Sequence, residues 1–206
     1  MKTPSAECGH CGVSLPPAHP GRGRQKQFCT DNCRVKAGYR RKYGVTTNRE
    51  RLLRIAGDYE PASMTEPQKA WLAAMVDGEG FISINHHKND RDDRGSFFPV
   101  IGVCNSNKLL LQEVRGIVGQ GYTMVRWRRA HQNQKAVGTV TIGRVAMQDV
   151  LLAILPYMIA KRRQAELAIE FCRIHDDLPV RTQPLEQFAT MHREARLLNK
   201  RGVEDT

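Results

Sequence analysis

At 206 residues the chain is long enough for one medium domain plus a small module, and its formal charge of +11 points to a polyanionic partner, most simply nucleic acid. No run approaches the roughly 18 consecutive apolar residues of a membrane span, and the opening MKTPSAECGHC lacks the apolar core of a signal peptide. The expectation is a cytoplasmic, intracellular protein with no membrane partner, whose six cysteines act as metal ligands or buried thiols rather than disulfides.

The first predicted element is a four-cysteine module over residues 1–43. CGHC supplies Cys8 and Cys11, and FCTDNC supplies Cys29 and Cys33. Thiolates paired at these spacings can reach one tetrahedral ion, one pair from a tight turn and the other from a turn entering a helix. Four cysteines close a structural zinc site without His10 or His19, and no open coordination position suggests catalysis. Redox-active thiols are the alternative reading. A module this small cannot bury its own core, so bound Zn²⁺ would supply its folding energy. The helix opened by Cys33, CRVKAGYRRKY, projects Arg34, Arg40, Arg41 and Lys42, cations suited to DNA phosphates. Eleven Lys and Arg stand against only Asp31 and Glu50 between Arg22 and Arg54, so most of the excess charge lies here.

Residues 44–64 read as a basic linker with a short helical piece near Asn48–Ile55. Thr65 then caps a helix, with Gln68 as capping-box partner and Pro67 tolerated in the first turn. This helix runs through WLAAMVDGEG and finishes on Asp77 and Glu79, each beside a glycine. A helix C-terminus carries partial negative charge and prefers Lys or Arg. Such a broken local rule marks a candidate functional site. Ala70, Ala73, Ala74 and Asp77 fall on one stripe of small side chains, which would let the same helix of a second copy approach. The acids of both copies would then meet at a two-fold axis. Carboxylates beside DNA repel phosphate unless divalent cations lie between them, and such cations polarise phosphate and activate water.

GFISINHH alternates Phe81, Ser83 and Asn85 against Ile82 and Ile84, a strand pattern; NDRDDRG reads as a polar hairpin loop and SFFPVIGVC as the return strand. NKLLLQEVRGIVGQG has helical spacing and stops at glycine. YTMVRWRR and AVGTVTIG form a second hairpin around AHQNQK. The stretch from Val145 to His175 is helical with an interruption at Pro156, and a last polar helix over Leu185–Lys200 lies in a C-terminal tail, residues 177–206. From Thr65 the order is α-β-β-α-β-β-α-α. One strand face is apolar and the other carries Ser83, Asn85, Arg126, Arg128, Thr139 and Thr141. That suits a sheet whose side chains enter a DNA groove, or an ordinary half-exposed antiparallel sheet. Cys104 and Cys172 read as small buried hydrophobes.

LAAMVDGEG, Leu72 to Gly80, resembles the signature of the LAGLIDADG homing endonucleases, with Ala74 at the usual first glycine and the acids at Asp77 and Glu79. VCNSNKLLLQEVRGIVGQG is similar to that family's strand-to-helix segment, and ILPYMIAKRRQAELAIEF to its late Pro-to-Lys-Gln-Ala helix. Together these cover nearly all of 66–174, within a domain placed at 65–176. The resemblance implies an α+β fold, α-β-β-α-β-β-α with an antiparallel DNA-binding sheet; the preceding zinc-binding module departs from the minimal pattern. It implies Mg²⁺-dependent phosphodiester hydrolysis in double-stranded DNA at a near-palindromic site. Glu79 would hold the Mg²⁺ with the Gly78 carbonyl close by, and Asp77 would serve at the helix end or interface with Ala73 and Ala74. Asn105 would orient solvent around the metal, and also reads as a cap for the following helix. Lys161 would stabilise phosphate charge or tune the attacking water. Arg162 and Arg163 would touch phosphates, and strand residues 81–87, 97–103, 122–129 and 137–142 would line the groove. A single signature requires a homodimer. The alternative on the same scaffold is a non-cleaving binder, either a DNA-binding regulator or an RNA-splicing maturase. Glu79 and Lys161 favour cleavage, since a pure binder has no physical need for acids facing phosphates.

Overall fold

The computed structural model describes residues 7–16, 26–44, 47–57, 60–89, 92–119, 122–128, 135–179 and 183–200. His19, Arg22, Arg24, Arg129, the loop residues 90–91 and 130–134, and the tail beyond 200 lie outside the described residues. The chain forms two compact units: Met1–Ile55 with Asp176–Thr182, and Ala56–His175 with Gln183–Thr206.

In the first unit an antiparallel bridge joins Glu7 to Ser14 and closes the turn that carries Cys8 and Cys11. Gly12 takes φ 72° there, a left-handed conformation that glycine adopts without steric cost. Helix α1 (Asp31–Tyr43) is capped by Thr30, whose side chain accepts the Cys33 N–H at 3.1 Å, and ends on Gly44 in the left-handed region. Helix α2 (Asn48–Ala56) begins with a reciprocal box: Thr47 N–H donates to Glu50 Oε2 at 2.9 Å, and Glu50 N–H to Thr47 Oγ1 at 3.2 Å. Its start is tied to the segment after residue 175. Thr47 bridges Pro179, Asn48 N–H donates to Leu178 O at 2.9 Å, and Arg49 pairs with the buried Asp176. Residues 47–56, read from sequence as part of a linker, thus fold into a helix held by these bonds.

The second unit is a four-stranded antiparallel sheet backed by helices. Helix α3 (Glu66–Glu79) runs directly into β1 (Gly80–Asn89), which pairs with β2 (Asp92–Asn105). Helix α4 (Lys108–Val118) leads to β3 (Thr123–Arg128) and β4 (Val137–Ile142), and the strand order is β1-β2-β4-β3. Helix α5 (Arg144–Ile154) is broken by a 3-10 turn at Leu155–Tyr157, where Pro156 cannot continue the ladder; α6 (Arg162–Asp177) and α7 (Leu185–Leu198) follow. The first hairpin is longer than its apolar pattern suggested: Asn89 still pairs with Asp92 beyond an irregularity after His87. Backbone pairing sustains the ladder where hydrophobicity gives no signal.

The register places Ile82, Ile101 and Ile142 in one row and Val103, Val140 and Val125 in the next, all toward the helices. These meet Leu72 and Val76 of α3, Leu111 and Val114 of α4, and Leu151 and Ile154 of α5 in one core. Helix α7 buries Phe188, Met191 and Ala195, and Phe188 stacks on Phe171 of α6 at 4.0 Å. It also covers the outer edge of β1. His192 Nδ1 bonds Ile84 O at 2.6 Å, and Asn199 Nδ2 donates to Ile82 O at 2.9 Å. A free strand edge invites pairing with another chain, and these side chains occupy its carbonyls.

Candidate metal centre, active site and nucleic-acid interface

The four cysteines of the first unit converge, with all four sulfurs within 4.8 Å of one another. Cys11 and Cys29 lie 3.5 Å apart, Cys29 and Cys33 3.4 Å, and Cys33 and Cys11 3.8 Å. Four Zn–S bonds of about 2.3 Å in a tetrahedron put sulfurs about 3.8 Å apart, so this spacing fits a zinc ion. The backbone N–H groups of Cys11 and Cys29 point at Cys8 Sγ and lower its pKa from 9.0 to about 6. Cys29 goes the other way: sharing its proton with Cys33 and then Cys11 pushes it up to about 12. Packed thiols cannot all ionise together without a cation among them, and a cation is what this geometry accommodates.

In the second unit, α3 delivers the two acids. Thr65 N–H donates to Gln68 Oε1 at 2.9 Å, the expected capping-box contact. At the other end a Cβ on Gly80 would lie 2.6 Å from Val76 Cα and O, so only glycine lets helix pass to strand this abruptly. Glu79 is therefore carried at the helix tip. It is exposed, and its carboxylate has no hydrogen bond or ion pair among the described residues.

Asp77 is placed differently. Its Oδ2 accepts the N–H groups of Ile159 at 2.7 Å and Ala160 at 3.2 Å, and its Oδ1 accepts the N–H of Lys161 at 2.9 Å. These three donors immediately precede α6. The acid at the negative end of one helix thus sits at the positive end of another, which resolves the broken rule. Lys161 Nζ donates back to the Asp77 carbonyl at the end of α3.

Asn105 ends β2. Because Gly80 pairs with Val103, Asn105 lies at the same end of the sheet as Glu79. Its Oδ1 accepts the Asn107 N–H at 2.8 Å, and Asn107 in turn caps α4 by accepting the Leu109 N–H at 2.9 Å. The helix cap is therefore Asn107, and Asn105 shapes the turn before it.

Ser83, Asn85, Arg126, Arg128, Thr139 and Thr141 share the sheet face turned away from the core. Arg126 pairs with Thr139, and Thr141 stands opposite Gly102, which faces Phe81. Three exposed apolar residues, Phe98, Met124 and Val137, also belong to that face; they fall within the strand ranges expected to line the groove but were not singled out. Met124 and Val137 lie two positions from Arg126 and Thr139 on their own strands, so strand parity was the available signal, while Phe98 stands directly opposite Asn85 across the β1–β2 pair. Cys104 also belongs to this face, with Sγ 3.2 Å from Thr139 Oγ1, and is not a core residue; Cys172 is fully buried.

Two further expectations change. Ala73 is completely buried in the chain's own core, so the exposed small residues of α3 are Ala70, Ala74 and Gly78. The shift follows from the 100° step of the helix, which turns Ala73 toward Leu72 and Val76. Arg163 donates through Nε and Nη2 to Glu194 Oε1 at 2.9 and 2.6 Å, and Glu166 lies beside it. That bond raises its pKa and ties its guanidinium to α7. Arg162 is as exposed as Arg163 but is only loosely paired, with Glu166 at 3.6 Å. The basic residues Arg34, Arg40, Arg41 and Lys42 of α1 are all exposed.

An α-β-β-α-β-β-α arrangement with this sheet order, an acid-tipped helix at its edge and an open polar face is the LAGLIDADG homing-endonuclease fold. Among solved structures, the chain is similar to the homing endonuclease I-CvuI in complex with I-CreI target DNA in 2 mM Mg, with the DNA not cleaved (TM-score 0.54, 22% identity, 68% of this chain and 87% of that one). The same enzyme with its own target in 2 mM Ca gives a TM-score of 0.53 at 23% identity, over 68% and 86% of the two chains. The archaeal intron-encoded I-Vdi141I complexed with DNA gives 0.53 at 14% identity, over 68% and 89%. No family model and no curated protein matches the sequence.

Proposed function

We propose that the chain is a homodimeric, Mg²⁺-dependent, site-specific endonuclease of double-stranded DNA that works in a reducing intracellular compartment and carries a structural zinc module. The observation that carries this reading is Glu79, an exposed carboxylate without a protein partner among the described residues, at the end of an open, cationic sheet face. A hard oxygen donor of this kind suits Mg²⁺ rather than a soft metal. Glu79 and the Gly78 carbonyl would hold the ion, which when bound would supply Lewis acidity at the phosphate and a more acidic water. Asp77 has both oxygens engaged by backbone N–H groups and is not a ligand in this reading.

The chain's own residues do the rest. Arg126 and Arg128 bring positive charge to the phosphates or guanine edges of a groove, while Ser83, Asn85, Thr139 and Thr141 offer donors and acceptors to bases. Asn105 orients solvent near Glu79. Lys161 meets charge developing on the phosphate, and Arg162 adds a phosphate contact. The single acid-tipped helix, with Ala70, Ala74 and Gly78 exposed along it, suits close approach of a second copy, which completes two half-sites on a near-palindrome. The similar solved structures are homing endonucleases with bound DNA, which agrees with this partner. Arg34, Arg40, Arg41 and Lys42 add phosphate contacts outside the cleaved site.

The test is cleavage of a randomised double-stranded DNA library in Mg²⁺ and in EDTA, beside Glu79→Gln. Mg²⁺-dependent cuts clustered at one near-palindrome, reduced roughly a hundredfold or more by the substitution, are expected. Enrichment of one site, uncut by either protein, would make this a binding protein on a nuclease scaffold.

A further inference from the structure

Asp77 and Lys161 are 84 positions apart in the chain, yet each satisfies the other's helix end. The N–H groups of Ile159, Ala160 and Lys161 have no partner within α6, because they precede its first turn; the Lys161 carbonyl already accepts the Ala165 N–H at 3.0 Å. The Asp77 carboxylate takes all three. In the opposite direction, the Asp77 carbonyl lies in the last turn of α3, where carbonyls lack intrahelical donors, and the Lys161 ammonium takes it. Lys161 is thus held by backbone and side chain on one residue. The anchoring carbonyl is one peptide from Gly78 and two residues from Glu79, and Lys161 is part-buried there.

We infer that Asp77 is the positioning residue for Lys161: its carboxylate fixes the backbone from which the lysine reaches, and its carbonyl holds the ammonium at the Glu79 end until a DNA phosphate oxygen displaces it. This rests on the proposed reading of Lys161 as the cation that meets phosphate charge. A carbonyl is a neutral acceptor and a phosphate oxygen an anionic one, so the exchange favours substrate. No proton needs to move, since the lysine stays an ammonium throughout. The arrangement also separates the roles of two neighbouring acids. Both Asp77 oxygens accept N–H donors, whereas Glu79 carries no such bond among the described residues and is open to a metal.

A double-mutant cycle on single-turnover cleavage decides it, using the wild type, Asp77→Asn, Lys161→Met and the double variant. The cycle is run where circular dichroism shows all four folded, with DNA affinity measured in Ca²⁺. Asp77→Asn is expected to slow cleavage roughly tenfold to a hundredfold with affinity little changed, and Lys161→Met to slow it at least as much. The double variant should cleave no more slowly than Lys161→Met alone, because a positioning residue has nothing left to position. Multiplying losses, a silent Lys161→Met, or an Asp77→Asn that cleaves normally once folded would each overturn the inference. Should Asp77→Asn fail to fold, Asp77→Ser, which keeps one cap acceptor, takes its place.

A wild type that cuts nothing refutes the nuclease reading instead. The positioning is then read from the ¹⁵N signal of the Lys161 ammonium. Slow proton exchange that becomes fast in Asp77→Asn supports it, and an ammonium already in fast exchange in the wild type overturns it.

Discussion

The two compact units differ in what they bury. Among the described residues the first buries only two apolar side chains, Cys8 and Leu15, before α2 begins. The second seals Leu72, Ile82, Ile101, Leu151, Phe171 and Phe188 almost wholly from solvent. Each such side chain contributes about 1.5–3 kcal/mol on burial, so the second unit has a conventional source of stability. The first has four converging sulfurs in its place, and structural zinc binding supplies about 10–16 kcal/mol in small modules. The difference explains where the charge sits. On the proposed zinc reading, a segment held by a metal would not need its helix faces for packing and could leave Arg34, Arg40, Arg41 and Lys42 exposed, whereas the sheet keeps one face apolar and offers cations only on the other.

The largest effect should come from taking the metal away. Chelation, or Cys29→Ser, is expected to collapse the amide dispersion of residues 7–44 in an NMR spectrum while the signals of the sheet persist. A first unit that keeps its spectrum without metal would abolish the contrast. The converse experiment is Leu72→Ala. It removes side-chain volume beneath the sheet and should destabilise the second unit by about 2–5 kcal/mol in chemical denaturation, with metal content unchanged. Loss of zinc from this variant would show that the two sources of order are not separate.

A smaller effect, confined to the open face, is expected from Arg126→Ala. On the proposed function it costs about 1–3 kcal/mol of DNA affinity and relaxes preference at one position of the site, read by competition binding over a set of single-base variants. A uniform loss across all variants would assign Arg126 to phosphate rather than bases.

Much of this was legible in advance because it is local. Thr65 with Gln68, the alternation through Ile82 and Ile84, and Pro156 between two helical stretches are all patterns within a few residues, and the fold follows from them. What escaped is long-range complementarity, which leaves no period in a sequence. Asp77 looked misplaced because its partners lie 82 to 84 positions away, in the N–H groups of residues 159–161. Arg163 looked free because Glu194 is on a different helix, and the edge-sealing role of His192 depends on a carbonyl 108 positions earlier. Met124 is another case: its parity with Arg126 was visible and its strand was expected to line the groove, but an apolar side chain on a wet face contradicts the simple assignment of apolar residues to cores.

The smallest and most diagnostic effect concerns α1. Arg34, Arg40, Arg41 and Lys42 are exposed, and the last three, at 100° steps, point around the helix rather than along one face, so on the proposed function they meet phosphates and not base edges. Each phosphate that a cation neutralises releases condensed counterion, so the salt dependence of binding reports how many phosphates are engaged. Replacing Arg40, Arg41 and Lys42 together with Gln should therefore lower the slope of log affinity against log salt by about one for each phosphate no longer neutralised, with the preferred site unchanged. The Arg126→Ala variant should do the reverse, changing preference more than slope. If the α1 triple variant alters which bases are preferred, the four-cysteine unit reads sequence as well as charge, and the division of labour between the two units is the wrong one.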